Sequence, residues 1–267
     1  MITKQFTLMG VLNVTPDSFS DDGKFKDPSA AIDRALKMAE EGADIIDVGG
    51  ESSRPGSDPL PLDLELKRVI PVIEGIRKKS KISISIDTTK SIVAKRAIDA
   101  GADMINDISA AMFDPEMLDV AALNHVPICL MHMKGTPKTM QDNPVYDDLM
   151  GEIRTFLADA VRRAEKAGVE KIIVDPGIGF GKTAEDNVKI IKELAELKTL
   201  GKMILVGPSR KSFIGKLLGL TVENRLEATL ATLGVAYQNG AEIFRVHDVG
   251  PARRYLSMLQ MLQSSPL

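Results

Sequence analysis

A single cysteine, Cys129, stands in the whole chain of 267 residues. No intrachain disulfide can form, and the apolar run VPICLM around it predicts a buried, inert thiol. An excess of charge of one sign is also missing: 34 Lys and Arg face 37 Asp and Glu, for a net charge of -3. That balance gives no global electrostatic case for a nucleic acid or an anionic membrane surface, and it leaves room for a local basic pocket that takes a small anion. No apolar run reaches the roughly 18 residues of a membrane span, and MITKQFTLMGVLNV lacks the layout of a signal peptide. A reducing cytoplasm is the expected compartment. Histidine is scarce too. His125, His132 and His247 form neither H-x-H nor H-E-x-x-H, which argues against a zinc site. His125 reads as a helix C-terminal cap and His132 as a packed, hydrogen-bonded core residue. One further absence concerns register. DPGIGFGKT, from Asp175, is laced with glycine and ends in Gly181-Lys182-Thr183, but a phosphate-binding P-loop needs glycine at position 176, which is Pro176. Lys182-Thr183 then reads as the lead-in to a helix.

What is present is alternation. Short apolar runs of β-forming residues (TLMGVLNV, ADIIDVG, KISISID, DMINDIS, VPICLMH, EKIIVDP, KMILVGP, AEIFRVHD) are each followed by a helical pattern. The runs are nearly continuous in apolar character, as in strands covered on both faces. Helices are expected over PSAAIDRALKMAEEGA, LDLELKRVIPVIEGIRKK, TKSIVAKRAIDAGA, DPEMLDVAALNH, Tyr146 to Ala167, AEDNVKIIKELAELKTL, VENRLEATLATLGVAYQNG and PARRYLSMLQMLQ. Four of them end in EEGAD, DAGAD, KAGVE or QNGAE, where glycine permits a left-handed helix exit into a short loop. Eight units at a period of roughly 30–35 residues, in a chain near the length of about 250 typical of the fold, predict a (β/α)8 barrel forming one domain over residues 1–267. An open doubly wound sheet is disfavoured, because no G-x-G-x-x-G follows the first strand.

In such a barrel the active site lies at the C-terminal ends of the strands. The expected strand ends are Asn13, Asp47, Asp87-Thr88, Asn106-Asp107, His132, Asp175, Gly207 with PSRKSF after it, and Arg245 with His247-Asp248. Buried carboxylates are costly without partners, so core satisfaction does not explain a whole polar ring. Two clusters separate by chemistry. Asp87, Asn106 and Asp175 suit the edge of a flat, nitrogen-rich heterocycle. Arg54, Lys211, Arg245 and His247, with Asn13, suit phosphate oxygens, and a helix expected from about Val249 adds amide donors. Of the adjacent Arg210 and Lys211, one is expected to point inward. Lys211 suits a ring oxygen or nitrogen, or a Schiff base, and the residues alone leave both open. Two long loops, NVTPDSFSDDGKF and GGESSRPGSDPLP, read as lids, with Phe19 placed to stack on an aromatic ligand.

The motifs LNVTPDSFSDDG, GGESSRPG, SIDT, INDIS, MHMKGTP, DPGIGFGK, SRKSF and RVHDV occur in an order that resembles the dihydropteroate synthase family across essentially the whole chain. The resemblance implies a transferase that joins 6-hydroxymethyl-7,8-dihydropterin diphosphate to 4-aminobenzoate, releasing diphosphate, and that sulfonamides inhibit. It implies a pterin pocket of Asp87, Asn106, Ile108, Met131, Asp175, Phe180, Gly207 and Lys211, and a diphosphate site of Asn13, Arg54, Arg245 and His247, with Mg2+ shared by Asn13 and the phosphates. It implies an aminobenzoate site of Phe19, Ser53, Pro55, Lys211 and Ser212, a closing role for Asp21, and a homodimer paired through helices near the C-terminus. Asp175, Lys211, Arg245 and His247 are its expected catalytic residues. The chain departs from the family pattern at Asp22, Ser53, Ala110-Ala111 and Pro208, none of which removes a role-bearing residue: Ser53 stands where Thr is usual and keeps the hydroxyl, and at 110–111, where glycine is frequent, the effect is expected to stay within the loop. Other readings are a methyltetrahydrofolate-binding methyltransferase domain, a Schiff-base aldolase using Lys211 and a noncatalytic pterin-binding protein.

Overall fold

The computed structural model describes residues 6–15 and 28–264. Eight parallel strands close into a barrel in simple sequential order. They are β1 (Thr7–Asn13), β2 (Ile45–Gly49), β3 (Ser83–Asp87), β4 (Met104–Asp107), β5 (Ile128–Met131), β6 (Ile172–Asp175), β7 (Met203–Val206) and β8 (Ile243–Val246). Closure is made by β1 against β8, with Met9 opposite Arg245. Nine α-helices lie among the described residues: α1 (Ser29–Glu40), α2 (Leu62–Lys79), α3 (Ser91–Asp99), α4 (Glu116–Leu123), α5 (Leu149–Lys166), α6 (Ala184–Glu193), α7 (Ser212–Leu218), α8 (Leu226–Gln238) and α9 (Val249–Ser264).

Strand side chains alternate between two cores. Those pointing outward, such as Leu8, Leu12, Ile46, Val48, Ile84 and Phe244, pack under the helices in the main core. Those pointing inward fill the barrel floor with Met9, Met104, Cys129, Ile173, Leu205 and Ile243. Each fully buried aliphatic side chain contributes about 1.5–3 kcal/mol. The period of two then dictates that the next inward residues toward the C-terminal ends are Asp47, Ser85, Asn106, Met131, Asp175, Gly207 and Arg245. Cys129 is buried, and burial pushes its thiol up, so the expectation of an inert cysteine holds. The glycines of the four expected helix exits, Gly42, Gly101, Gly168 and Gly240, have φ of 102°, 113°, 90° and 97°.

Several boundaries differ from the sequence pattern: α7 was not among the expected helices, and α8 starts at Leu226 after a 3-10 turn over Val222–Asn224. Strand β2 runs on to Gly49, so Asp47 sits two residues inside it. Helix α5 starts at Leu149 rather than Tyr146, because Asp148 caps it by accepting from Gly151 N. The pattern read as one helix over 184–200 is α6 followed by a 3-10 turn over Leu194–Leu200. Leu194 and Leu197 are both fully buried with Leu200 partly so, and spacing by threes puts all three on one face of a 3-10 turn.

Candidate active site

The inward layers meet at the C-terminal mouth. Arg245 on β8 crosses the barrel, and its Nε donates to Asp47 Oδ2 at 2.6 Å while its Nη2 donates to Asp87 Oδ2 at 2.6 Å. Asn106 Nδ2 donates to the same Asp47 Oδ2 at 3.1 Å. The two clusters that residue chemistry separated are therefore one network, a correction to the sequence reading. The reason is steric as well as electrostatic: a long guanidinium rooted on β8 reaches across a narrow barrel to the carboxylates of β2 and β3. Burial pushes Asp87 up to about 7, assisted by the charges of Asp47, Glu65 and Asp107 and opposed by Arg245. Arg245 remains charged, held up by Asp47 and Asp87 against its own burial. Asp107, next to Asn106, faces the other way. Its carboxylate takes Ser109 N, Ser109 Oγ and Ala111 N, each at 2.8 Å. It thereby holds Ala110 and Ala111 at φ 51° and 57°, a conformation that costs an L-residue about 1–2 kcal/mol and that glycine enters freely. Both alanines are buried in the main core, and Ala110 O accepts from Arg163 Nη2 at 2.8 Å, so their contacts reach beyond this loop.

The turn after β6 supplies the second half of the site. Asp175 is 6% exposed and accepts from Gly177 N at 2.6 Å. Burial raises its pKa, while Gly177 N–H and the charges of Lys211, Lys182 and Arg245 pull it down. Gly177, Gly179 and Gly181 all have positive φ, and a Cβ at Gly177 would lie 1.9 Å from the His132 carbonyl oxygen. The turn thus lies flat on the end of β5 and projects Phe180 and Ile178 over the mouth. Lys211 is the inward member of its pair: its Nζ lies 4.0 Å from the Phe180 ring centroid and donates to the Ile178 carbonyl. Arg210 turns outward to a bidentate pair with Asp248, both contacts at 2.7 Å. Burial lowers Lys211 to about 7, with Asp175 and Asp87 resisting that fall.

Lys182 is a correction. The sequence placed it in a helix lead-in, a part that Thr183 alone plays, as N-cap of α6 in a capping box with Asp186. Lys182 is 3% exposed and turns back under the turn. Its Nζ contacts His132 Nδ1 at 2.9 Å and donates to Phe180 O at 2.9 Å and His132 O at 3.4 Å. Burial lowers it to about 7. Burial first, then Lys182 and Lys134, push His132 down to about 2, so its ring is neutral and Nδ1 accepts. His132 is the packed core histidine expected, edge-on to Phe156. His125, just past the end of α4, adopts φ 52° and donates its N–H to Ala122 O.

These elements line a small recess that opens at the barrel mouth. Seven of the eight residues assigned to the pterin line it: Asn106, Ile108, Met131, Asp175, Phe180, Gly207 and Lys211. The eighth, Asp87, lies behind Arg245, which itself lines the recess together with Ser53 and Ile178. Ile178 was not singled out from sequence; its place between two left-handed glycines is the signal that marks it. Ile108, Met131 and Phe180 form one apolar wall with Met140. On the far side of Arg245, His247 Nδ1 is 3.1 Å from Ser209 Oγ, and burial followed by the Arg245 charge lowers it to about 4. Asn13 ends β1, half-buried, paired in register with Gly49. Arg54 and Pro55 are exposed on the loop after β2, and Ser212 is exposed at the first position of α7. That loop is pinned at its root, where Lys90 bridges Glu51 and the fully buried Glu65, and at its tip, where Gly56 N donates to Pro137 O at 3.0 Å. Phe19, Asp21 and Asp22 lie outside the described residues.

Comparison with known proteins gives one answer. A family model described as a pterin binding enzyme matches residues 9–247. The dihydropteroate synthase of Synechocystis sp. is 53% identical over 249 residues, 92% of this chain and 86% of that one. The structure of Yersinia pestis dihydropteroate synthase with a sulfonamide drug superposes with a TM-score of 0.92 at 40% identity, covering 98% of this chain and 95% of that one. Xanthomonas albilineans dihydropteroate synthase with 4-aminobenzoic acid gives a TM-score of 0.92 at 43% identity, covering 98% and 94%.

Proposed function

The chain belongs to the pterin-binding enzyme family, among its dihydropteroate synthases, and on that premise we propose how its barrel mouth joins (7,8-dihydropterin-6-yl)methyl diphosphate to 4-aminobenzoate. The observation that carries the assignment is the recess itself, which sets Asn106, Asp175 and Lys211 around an apolar slot that Arg245 closes at one side. The pterin ring lies in the slot against Phe180 and Met131, with Asp175 accepting from its N–H edge and Lys211 donating to a ring oxygen or nitrogen. The diphosphate lies toward Arg245, His247, Asn13 and Arg54. The aminobenzoate comes in over Ser53, Pro55, Ser212, Lys211 and Phe19.

The C–O bond to the diphosphate breaks first, its electron pair leaving with the phosphate oxygen. Arg245 stabilises that charge, and a neutral His247 contributes a ring N–H. The methylene cation left behind is delocalised into the electron-rich pterin, with the Asp175 carboxylate beside it. The arylamine nitrogen then attacks the methylene carbon, forming the C–N bond, and loses one proton to the departing diphosphate. No protein nucleophile is needed, and the loops limit capture of the cation by water. Asn13 offers one amide oxygen, and among the described residues no three His, Cys, Asp or Glu side chains gather to hold an ion. That sparse donor set fits Mg2+, which keeps several waters and takes phosphate oxygens; when bound it would neutralise charge on the leaving diphosphate.

Sulfonamides compete at the aminobenzoate end. Exposed Val235 on α8 and Met258, Met261 and Leu262 on α9 support a homodimer paired through these helices. No helix among the described residues is long and apolar enough to cross a membrane, and the single buried thiol suits the cytoplasm. The test is turnover of the two substrates with and without Mg2+, in the wild type and in Asp175→Asn. Wild-type turnover that depends on the ion, with a loss of about 100-fold or more in the variant, supports the reading; near-normal kinetics in Asp175→Asn removes Asp175 from its role.

A further inference from the structure

Asp47 carries no part in the chemistry above, yet its side chain is fully enclosed at the centre of the barrel. The inward layer beneath it is apolar, built from Met9, Met104 and Ile243, so an apolar residue would suit the barrel at position 47. Asp47 Oδ1 and the Ser85 Oγ beside it in register have no hydrogen-bond partner among the described residues. A buried carboxylate with one unsatisfied oxygen costs stability. All of its hydrogen bonding is concentrated on Oδ2, which takes Arg245 Nε at 2.6 Å and Asn106 Nδ2 at 3.1 Å. These two donors belong to opposite ends of the substrate as placed above.

We propose that Asp47 is a positioning residue of the reaction, whose Oδ2 sets the direction of both the Arg245 guanidinium and the Asn106 amide. The inference rests on the functional reading just given. An ionised carboxylate only accepts, so Asn106 turns Nδ2 toward it and presents Oδ1 to the recess, where it takes an N–H of the pterin. Arg245 spends Nε on Asp47 and Nη2 on Asp87, which fixes the plane of the fork and leaves Nη1 for the diphosphate. One atom beneath the site thus sets what the site offers to each half of the first substrate.

The experiment is Asp47→Asn, an isosteric change, with steady-state kinetics in both substrates across pH and thermal unfolding alongside. The expected result is a fall of about 100-fold in kcat/KM for the pterin diphosphate, the scale of a displaced positioning group, with KM for 4-aminobenzoate unchanged. The pH profile supplies a readout that a purely structural role does not move. Asp87 faces Arg245 from β8, Lys211 after β7, Asp47 from β2, Glu65 from α2 and Asp107 from β4. The first two hold its pKa down and the last three push it up. Removing the Asp47 charge removes one upward push, so the acid limb of kcat/KM, expected near pH 7 in the wild type, moves to lower pH. A variant that loses thermal stability but keeps wild-type kcat/KM and an unmoved acid limb overturns the proposal. If Asp47→Asn does not fold, Asp47→Glu decides: it keeps the charge and displaces the carboxylate by one methylene. A loss of at least about tenfold there supports positioning, and wild-type kinetics refutes it. A wild-type protein that turns over neither substrate overturns the functional reading instead, an outcome separable from both.

Discussion

Gly177→Ala tests the β6 turn through steric reasoning alone. At φ +72° an added Cβ would stand 1.9 Å from the His132 carbonyl oxygen, which is backbone at the end of β5 and unable to swing aside. The left-handed conformation costs an alanine about 1–2 kcal/mol. Forcing the carbonyl away adds about 1–3 kcal/mol, the range for overpacking. The stiffer unfolded chain returns about 0.4–1 kcal/mol. The net is about 3 kcal/mol, which for a chain of this size lowers the thermal midpoint by about 9 °C. Gly201→Ala is the control. Gly201 has a similar φ of +65° but nothing within 4 Å of its Cβ position, so only the conformational part applies and the midpoint drops by about 3 °C. The assay is differential scanning calorimetry on both variants, followed by KM for the pterin diphosphate. Gly177 N–H steers the Asp175 carboxylate, so KM rises in Gly177→Ala and stays normal in Gly201→Ala. Equal midpoints for the two variants would refute the clash, and an unchanged KM would refute the link from the turn to Asp175.

Lys182, lowered to about 7 by burial from its ordinary 10.5, binds fewer protons in the folded than in the unfolded chain between those values. Its contribution to stability therefore rises with pH across that window. In Lys182→Met the rise in thermal midpoint from pH 7 to 10 should be smaller than in the wild type, and an identical slope would count against a buried lysine. Imidazole signals of His132 and His247, lowered to about 2 and about 4, should stay those of neutral rings down to pH 5 in NMR titration; a midpoint near 6.5 for either would contradict its burial. Calorimetry should detect aminobenzoate binding only with pterin diphosphate or diphosphate already in place, and equal affinity for the ligand-free protein would argue against an aminobenzoate site completed by the first substrate.

The barrel was legible because strand and helix patterns alternate eight times and the helix exits are marked by glycine. Asn106 and Asp175, which line the recess, were legible as polar residues at strand ends, whereas Ile108, Met131, Phe180 and Gly207 came only through the family resemblance. Three things were hidden. Asn106 and Asp107 look alike in sequence, and only the strand register sends one inward and the other to brace a loop. Lys182 was read with Thr183 as the lead-in to a helix, since nothing local says that the chain has already folded back over His132. Arg245 was read as an anion ligand alone, because its carboxylate partners lie on β2 and β3, 198 and 158 residues away along the chain. Long-range pairing of this kind leaves no periodic trace for a sequence to display.

Gly207 lines the recess, and a Cβ built there comes no nearer than 3.6 Å to Arg245; at Gly49 the nearest atom is Asp87 Cβ at 3.4 Å. Both are ordinary contact distances, and neither glycine has a left-handed backbone. The protein would accept a methyl group at either place. The ring of inward side chains is interrupted there. Folding and the shape of the recess are thus separable at Gly207. A chain with alanine at 207 keeps its barrel while the recess narrows, so the width of the slot is a property that can drift, or be engineered, without passing through an unfolded intermediate.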